Sequence, residues 1–195
     1  MKSVSRYINI IPVLLLGFFL SSCGYNDIAR KQERVAESWS QVENVYQRRA
    51  DLVPNLVNTV KGAANFEQGT LTAVIEARAS ATAIKLSADS LTPERLANFQ
   101  KAQDKLGSTL SRLMVVSENY PELKSTVLFQ DLTTELAGTE NRIAEERRKF
   151  NEATKDFNTT ISTFPNNMTA GWFGFARKPY FTATAGSDKA PSVQF

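Results

Sequence analysis

The 195-residue chain contains no histidine and a single cysteine. Without histidine, the commonest general base, proton shuttle and metal ligand is missing. With one cysteine, disulfides within the chain and thiolate metal clusters are excluded. A Ser-His-Asp triad, a Cys-His dyad and the usual zinc sites cannot be built, so no catalytic residue, metal or cofactor is expected. An excess of basic charge is also lacking. Lys and Arg number 23 against 20 Asp and Glu, and two of the 23, Lys2 and Arg6, fall in an acid-free N-terminal segment. The remainder is nearly neutral and carries no basic stripe, which argues against a nucleic-acid partner. Runs of alternating β-branched residues bounded by hairpin turns are missing too, as are solenoid repeats.

What is there begins with an address. MKSVSRYINIIPVLLLGFFLSSCG has a positive start at Lys2 and Arg6, then an apolar stretch from Ile8 to Leu20. That stretch suits a secretory signal and is short of the ~20 residues needed to span a bilayer. Leu20-Ser21-Ser22-Cys23 resembles the lipobox of bacterial lipoproteins. The resemblance implies that residues 1–22 are a lipoprotein signal peptide and that Cys23 becomes the acylated N-terminus. The other reading is an uncleaved anchor with an incidental cysteine. Lipidated Cys23 would make the membrane itself a partner, since two or more acyl chains anchor stably. The body would then face the periplasm or the cell exterior. By the same resemblance, Gly24 in place of Asp favours the outer membrane where one exists.

The rest reads as helix. Val35, Trp39, Val42, Tyr46, Val53, Leu56 and Val60 recur at threes and fours, with Arg49 filling the one gap. Asn26 is placed to cap this first helix. Pro54 lies inside the pattern without disturbing it, so the helix is expected to kink there and to free the Ala50 carbonyl. A shorter helix carries Leu71, Val74, Ile75, Arg78 and Thr82, with small residues from Ala77 to Ala83 that would let another helix approach closely. Ser87 to Leu91 reads as a loop, and Thr92-Pro93-Glu94 as a helix start. Leu96, Phe99, Leu106, Leu110 and Leu113 follow, interrupted by Gln103. After Asn119-Tyr120-Pro121-Glu122 comes the last helix. It carries Phe129, Leu132, Leu136, Ile143, Phe150, Phe157, Ile161 and Phe164, with Thr139 and Arg147 at intervening positions. The expected fold is all-α: an antiparallel four-helix bundle with long first and last helices, over residues 23–165.

Two polar stripes flank the apolar ones: Arg48, Asp51, Asn55 and Asn58 on the first helix, and Asn141, Arg148, Asn151, Lys155 and Asn158 on the last. They are either two solvated faces or a buried seam that sets helix register. Glu140, Glu145 and Glu146, lying among Arg142, Arg147 and Arg148, are better read as ion pairs along one helix than as an acid–base or metal-holding set. Beyond residue 165, Trp172, Phe173 and Phe175, then Pro179-Tyr180-Phe181, crowd aromatics outside any heptad. They either fold back to cap the bundle or form an exposed patch for a protein or lipid partner. Past Phe181 the polar end is expected to be disordered.

RRADLVPNLVNTVKG (48–62), EARA (76–79), ENYPEL (118–123), TENRIAEERRKFN (139–151) and FNTTISTFP (157–165) together resemble the LemA family of bacterial envelope proteins. The resemblance covers roughly residues 24–181. It implies an N-terminally anchored, mostly α, four-helix domain facing away from the cytoplasm, with no activity assigned to the family as a whole. Two features depart from the family's pattern. A lipobox stands where many members have a hydrophobic anchor, and Phe66-Glu67 stands where many have His-Glu, which weakens any metal role there. The expectation is a non-enzymatic envelope scaffold or adaptor with an unidentified envelope protein partner. The alternatives are a homo-oligomer assembling on the membrane through its long helices, or an enzyme working with carboxylates alone.

Overall fold

The computed structural model describes the backbone of residues 10–63 and 66–182, and side chains from Gly24 onward. Among these residues there is no strand. The helices are α1 (Ile10–Lys61), α2 (Gln68–Ala83), α3 (Pro93–Ser117), α4 (Pro121–Lys124), α5 (Val127–Ser162) and α6 (Asn166–Phe173), with a 3-10 turn at Ala88–Ser90. The chain is all-helical, and its first and fifth helices are the longest.

Helix α1 starts earlier than a cap at Asn26 would allow. Asn26 lies within it and is exposed, so it caps nothing. Gly24 is the sole poor helix former between Leu20 and Asn26, and one glycine costs only ~1 kcal/mol in a helix interior. Elsewhere the local signals decide the ends. Thr92 Oγ1 accepts from Arg95 N at 3.2 Å with Pro93 in the first turn. The Ser87–Leu91 connection carries the 3-10 turn, with Leu86 and Leu91 buried.

The expected apolar stripe of α1 is buried throughout. On α2, Ala77 and Ala81 turn inward and Ile75 is exposed. The small residues do allow a close approach, and α2 lies along α3, with Gln103 reaching the Ala81 carbonyl. Phe164, expected to end the α5 stripe, lies beyond the helix and is 75% exposed. α1 and α5 form the most extensive pairing. Lys31 meets Asp156 and Thr160, whereas Arg48 meets Glu135, so the two helices run in opposite senses.

Pro54 sits inside α1 and faces solvent. The carbonyl it frees, Ala50 O, accepts from Arg78 Nε of α2 at 2.7 Å. A lost helix bond thus becomes a cross-link between helices, which explains how the pattern runs through the proline.

The segment after Pro165 is part of the packed body. α6 packs on α1 around Gly24 and Tyr25 and on α5. Gly174 ends α6 in the left-handed region (φ 73°). An extended strap, residues 175–182, then lies on α5. Residues 183–195, expected to be disordered, lie outside the described residues.

Candidate functional site

Three constellations stand out: an aromatic end, a polar layer within the core, and a clamped strap. The aromatic end forms where α6 meets α1 around Gly24 and Tyr25. The Tyr25 ring lies 4.8 Å from Phe173 and 5.7 Å from Phe175. A Cβ added at Gly24 would come within 2.9 Å of Asn166 Oδ1, so α6 sits hard against α1 at this point. Thr169 and Ala170 face inward, and Phe175 is half-buried against the core. Trp172 and Phe173 are 71% and 60% exposed, and Phe164 and Met168 are exposed with them. Of the expected capping aromatics, then, Phe175 covers the core and Trp172 and Phe173 form an apolar patch. Residues 1–22 and the Cys23 side chain lie outside the described side chains. Among the described residues no helix is long and apolar enough to cross a membrane.

The polar layer is centred on Arg49, which is only 3% exposed. Its Nη2 donates to the Gln103 carbonyl at 2.9 Å and to Gln103 Oε1 at 2.8 Å, and its Nη1 to Glu140 Oε2 at 3.0 Å. Its Nε is buried with no partner among the described residues. The guanidinium also lies 5.1 Å from the centre of the Tyr46 ring. Burial raises the pKa of that tyrosine. A charge taken out of water needs this many partners to persist. Arg49 and Gln103 are legible in the sequence as polar interruptions at core spacing. Their meeting in one layer is not.

The strap is held by the second polar stripe. Asn158 Nδ2 donates to the Lys178 carbonyl at 2.8 Å and Asn158 Oδ1 accepts from Lys178 N at 2.9 Å. Asn151 repeats the pattern on Phe181, at 3.0 and 2.9 Å. Gln100 and Arg147 both donate to the Thr182 carbonyl. Between these clamps the Phe181 side chain enters the core, against Trp39 and Phe150 at 6.0 and 5.5 Å, with Arg147 over its outer face.

The remaining stripe residues do not join a buried seam. Arg48, Asp51, Asn55, Asn58, Asn141 and Arg148 are exposed, while Asn151 is half-buried and Asn158 only 2% exposed. Arg48 pairs with Glu135 at 2.6 Å on the surface, and Asp51 accepts from Gln47. The reason is register: position 49, one residue along, faces the core. Arg148 pairs with Glu145 and Glu152, and Lys149 with Glu146, along the solvent face of α5. The Arg148 guanidinium accordingly holds the Glu145 carboxyl below its usual pKa. Among the described residues no group of three or more Asp, Glu or Cys is placed to hold a metal.

Comparison with known proteins gives a consistent result. The family model described as "LemA family" matches residues 38–195. Protein LemA of Metamycoplasma hominis is 26% identical over 145 residues, 74% of this chain and 63% of that protein. Magnetosome protein MamQ 2 of Paramagnetospirillum magneticum is 37% identical over 82 residues, 42% of this chain and 30% of that one. Magnetosome protein MamQ of Magnetospirillum gryphiswaldense is 36% identical over 75 residues, with 38% and 28% covered. The chain thus matches less than a third of the length of these magnetosome relatives.

Proposed function

This chain belongs to the LemA family, and from that premise we propose that it is an envelope protein held on a membrane by its Tyr25 end, working as a non-enzymatic scaffold or adaptor. Its four long helices form an antiparallel bundle that stands away from the membrane, about 57 Å from Gly24 to Lys61 at 1.5 Å per residue. The anchor is lipid on Cys23, with residues 1–22 removed as a signal peptide, the body outside the cytoplasm, and the outer membrane favoured where there is one.

The observation that carries this reading is the set of exposed apolar residues Phe164, Met168, Trp172 and Phe173 on and beside α6, of which Phe173 packs on Tyr25. Tyr25 is two residues from Cys23, so a lipid on that cysteine would bring the patch to headgroup level. Aromatic side chains favour that depth. Any protein partner met there would be a membrane-embedded or membrane-bound one.

The two tryptophans make the test direct, because Trp39 is buried and Trp172 is not. The full chain is placed in vesicles whose lipids carry bromine near the headgroup, as Trp39→Phe and, separately, as Trp172→Phe. Strong quenching is expected where Trp172 remains and little where Trp39 remains. Equal quenching of the two would sink the reading. Fatty-acid labelling that is lost in Cys23→Ser tests the anchor separately.

A further inference from the structure

The clamp on the strap reads backbone and very little else. Asn151 and Asn158 are seven residues apart, two helical turns, or about 10.5 Å along α5. Lys178 and Phe181 are three residues apart in extended chain, about 10 Å. The two repeats match, so each asparagine amide meets one residue of the strap and grips both its N–H and its carbonyl. Gln100 and Arg147 add a third grip at the Thr182 carbonyl. The buried strap side chain is Phe181, seated on Trp39 and Phe150. This is the chemistry of an extended-peptide site: main-chain hydrogen bonds for affinity and one aromatic for specificity.

The occupant is tied to the body by a short link beyond Phe175, which is itself half-buried against the core. Gly174, Ala176 and Arg177 are all exposed, and Gly174 already adopts a positive φ. Lifting the strap would break the clamp bonds and the Lys178 bond to the Ala88 carbonyl, and would uncover an aromatic slot on the α1–α5 face. A bare slot of that kind demands a cover. The segment known to fit it is residues 178–182, and every copy of the chain carries one.

We propose that the Asn151–Asn158 groove is an extended-peptide site that accepts the strap of a second copy, so that copies concentrated on a membrane exchange residues 178–182, while Phe175 stays on its own chain. Every contact of the closed form is then remade between two chains, as in domain swapping. Within one chain the short link gives the strap a high effective concentration, so the closed form dominates in dilute solution. Confinement of many copies to one surface narrows that advantage. The exchange on a surface rests on the membrane anchoring proposed above, whereas the groove itself is tested in detergent, so the two can fail separately.

Two full-length variants in mild detergent test it. Phe181→Ser blunts the strap and leaves the groove, and Asn151→Ala with Asn158→Ala cripples the groove and leaves the strap. Tagged Phe181→Ser chain should capture the double variant at least ~10-fold better than either variant captures itself. Folded variants that show no such preference overturn the proposal. If either variant loses its helical circular dichroism, the milder Phe181→Leu chain is titrated with a labelled peptide spanning residues 174–182. It should bind that peptide ~10-fold more tightly than wild type, whose own strap competes. Equal affinity for the two chains, or no binding to either, overturns the proposal as well.

Discussion

The core has two halves built from different residues. The half farther from Tyr25 packs Leu52, Val53, Leu56 and Val60 of α1 with Leu71 and Val74 of α2, Leu106, Leu110 and Leu113 of α3, and Phe129, Leu132 and Leu136 of α5. Apart from Phe129, its buried residues are aliphatic or alanine. The nearer half adds six aromatics, Trp39, Tyr46, Phe99, Phe150, Phe157 and Phe181, to aliphatics such as Ile28, Val35, Leu96 and Ile143. Arg49 and Gln103 lie between them. The difference follows from the length of α2, which ends at Ala83. Where α2 is present, four helices close the core and branched aliphatics fill the space. Where it has ended, the Leu86–Leu91 connection and the strap must close the gap, and large rings span the wider opening. Aromatic content marks where a helix is missing.

Truncating the nearer half should produce the strongest effect. Trp39→Ala is expected to cost about 4 kcal/mol in urea unfolding, because its ring touches Phe99, Phe150 and Phe181 together. Amide exchange should quicken around Phe150 well before it does around Leu106. A uniform rise across both halves would mean that they unfold as one unit and that the division has no energetic content.

The layer between the halves comes next. Arg49→Ala should cost about 3 kcal/mol, since a large buried side chain is lost and both Gln103 oxygens lose their donor. Arg49→Met combined with Gln103→Leu should fall within about 1 kcal/mol of wild type, because Glu140 remains solvated and nothing charged stays buried. If the double variant melts as low as Arg49→Ala, the layer stabilises the fold and does more than set register.

Pro54→Ala probes the farther half and should change little. A backbone N–H is restored, yet Ala50 O already has Arg78 as donor, and the unfolded chain gains freedom. Helical circular dichroism is expected to be retained, with stability shifted by less than about 1 kcal/mol. Loss of helix would show that the proline is needed to expose that carbonyl.

The smallest effect concerns Glu43, a half-buried carboxyl in the nearer half whose pKa burial raises. A raised folded-state pKa means that the ionised form is disfavoured in the native protein, so wild type regains stability as pH falls through that value. Glu43→Gln should therefore be more stable near neutrality by about 0.5 kcal/mol at most, given its partial contact with water. The gap should close in acid. A gap independent of pH would rule out the burial explanation.

Much of this comparison is legible in residue order alone. The α1 and α3 stripes, the Thr92 cap and the close approach at Ala77 and Ala81 follow from periodicity and side-chain size. Ile75 departs from expectation because a helix beside only some neighbours buries a narrower face than its apolar residues suggest. Phe164 departs because the helix ends at Ser162, before its turn would have reached the core. The strap is invisible to pattern. Asn151 and Asn158 look like ordinary surface amides, and no periodicity marks the extended segment that they hold.

The sequence by itself determined the all-helical character, most of the buried stripes and the exclusion of histidine and disulfide chemistry, but not α6 or the early start of α1. Each of these depends on residue types or on spacing within one stretch of chain. Only the tertiary structure decided that Arg49, Gln103 and Glu140 share a layer, that Arg78 takes the carbonyl freed by Pro54, and that Phe181 completes a core begun at Trp39. Those contacts join residues 28 to 142 positions apart. Their existence depends on which helix ends where, which local pattern does not encode.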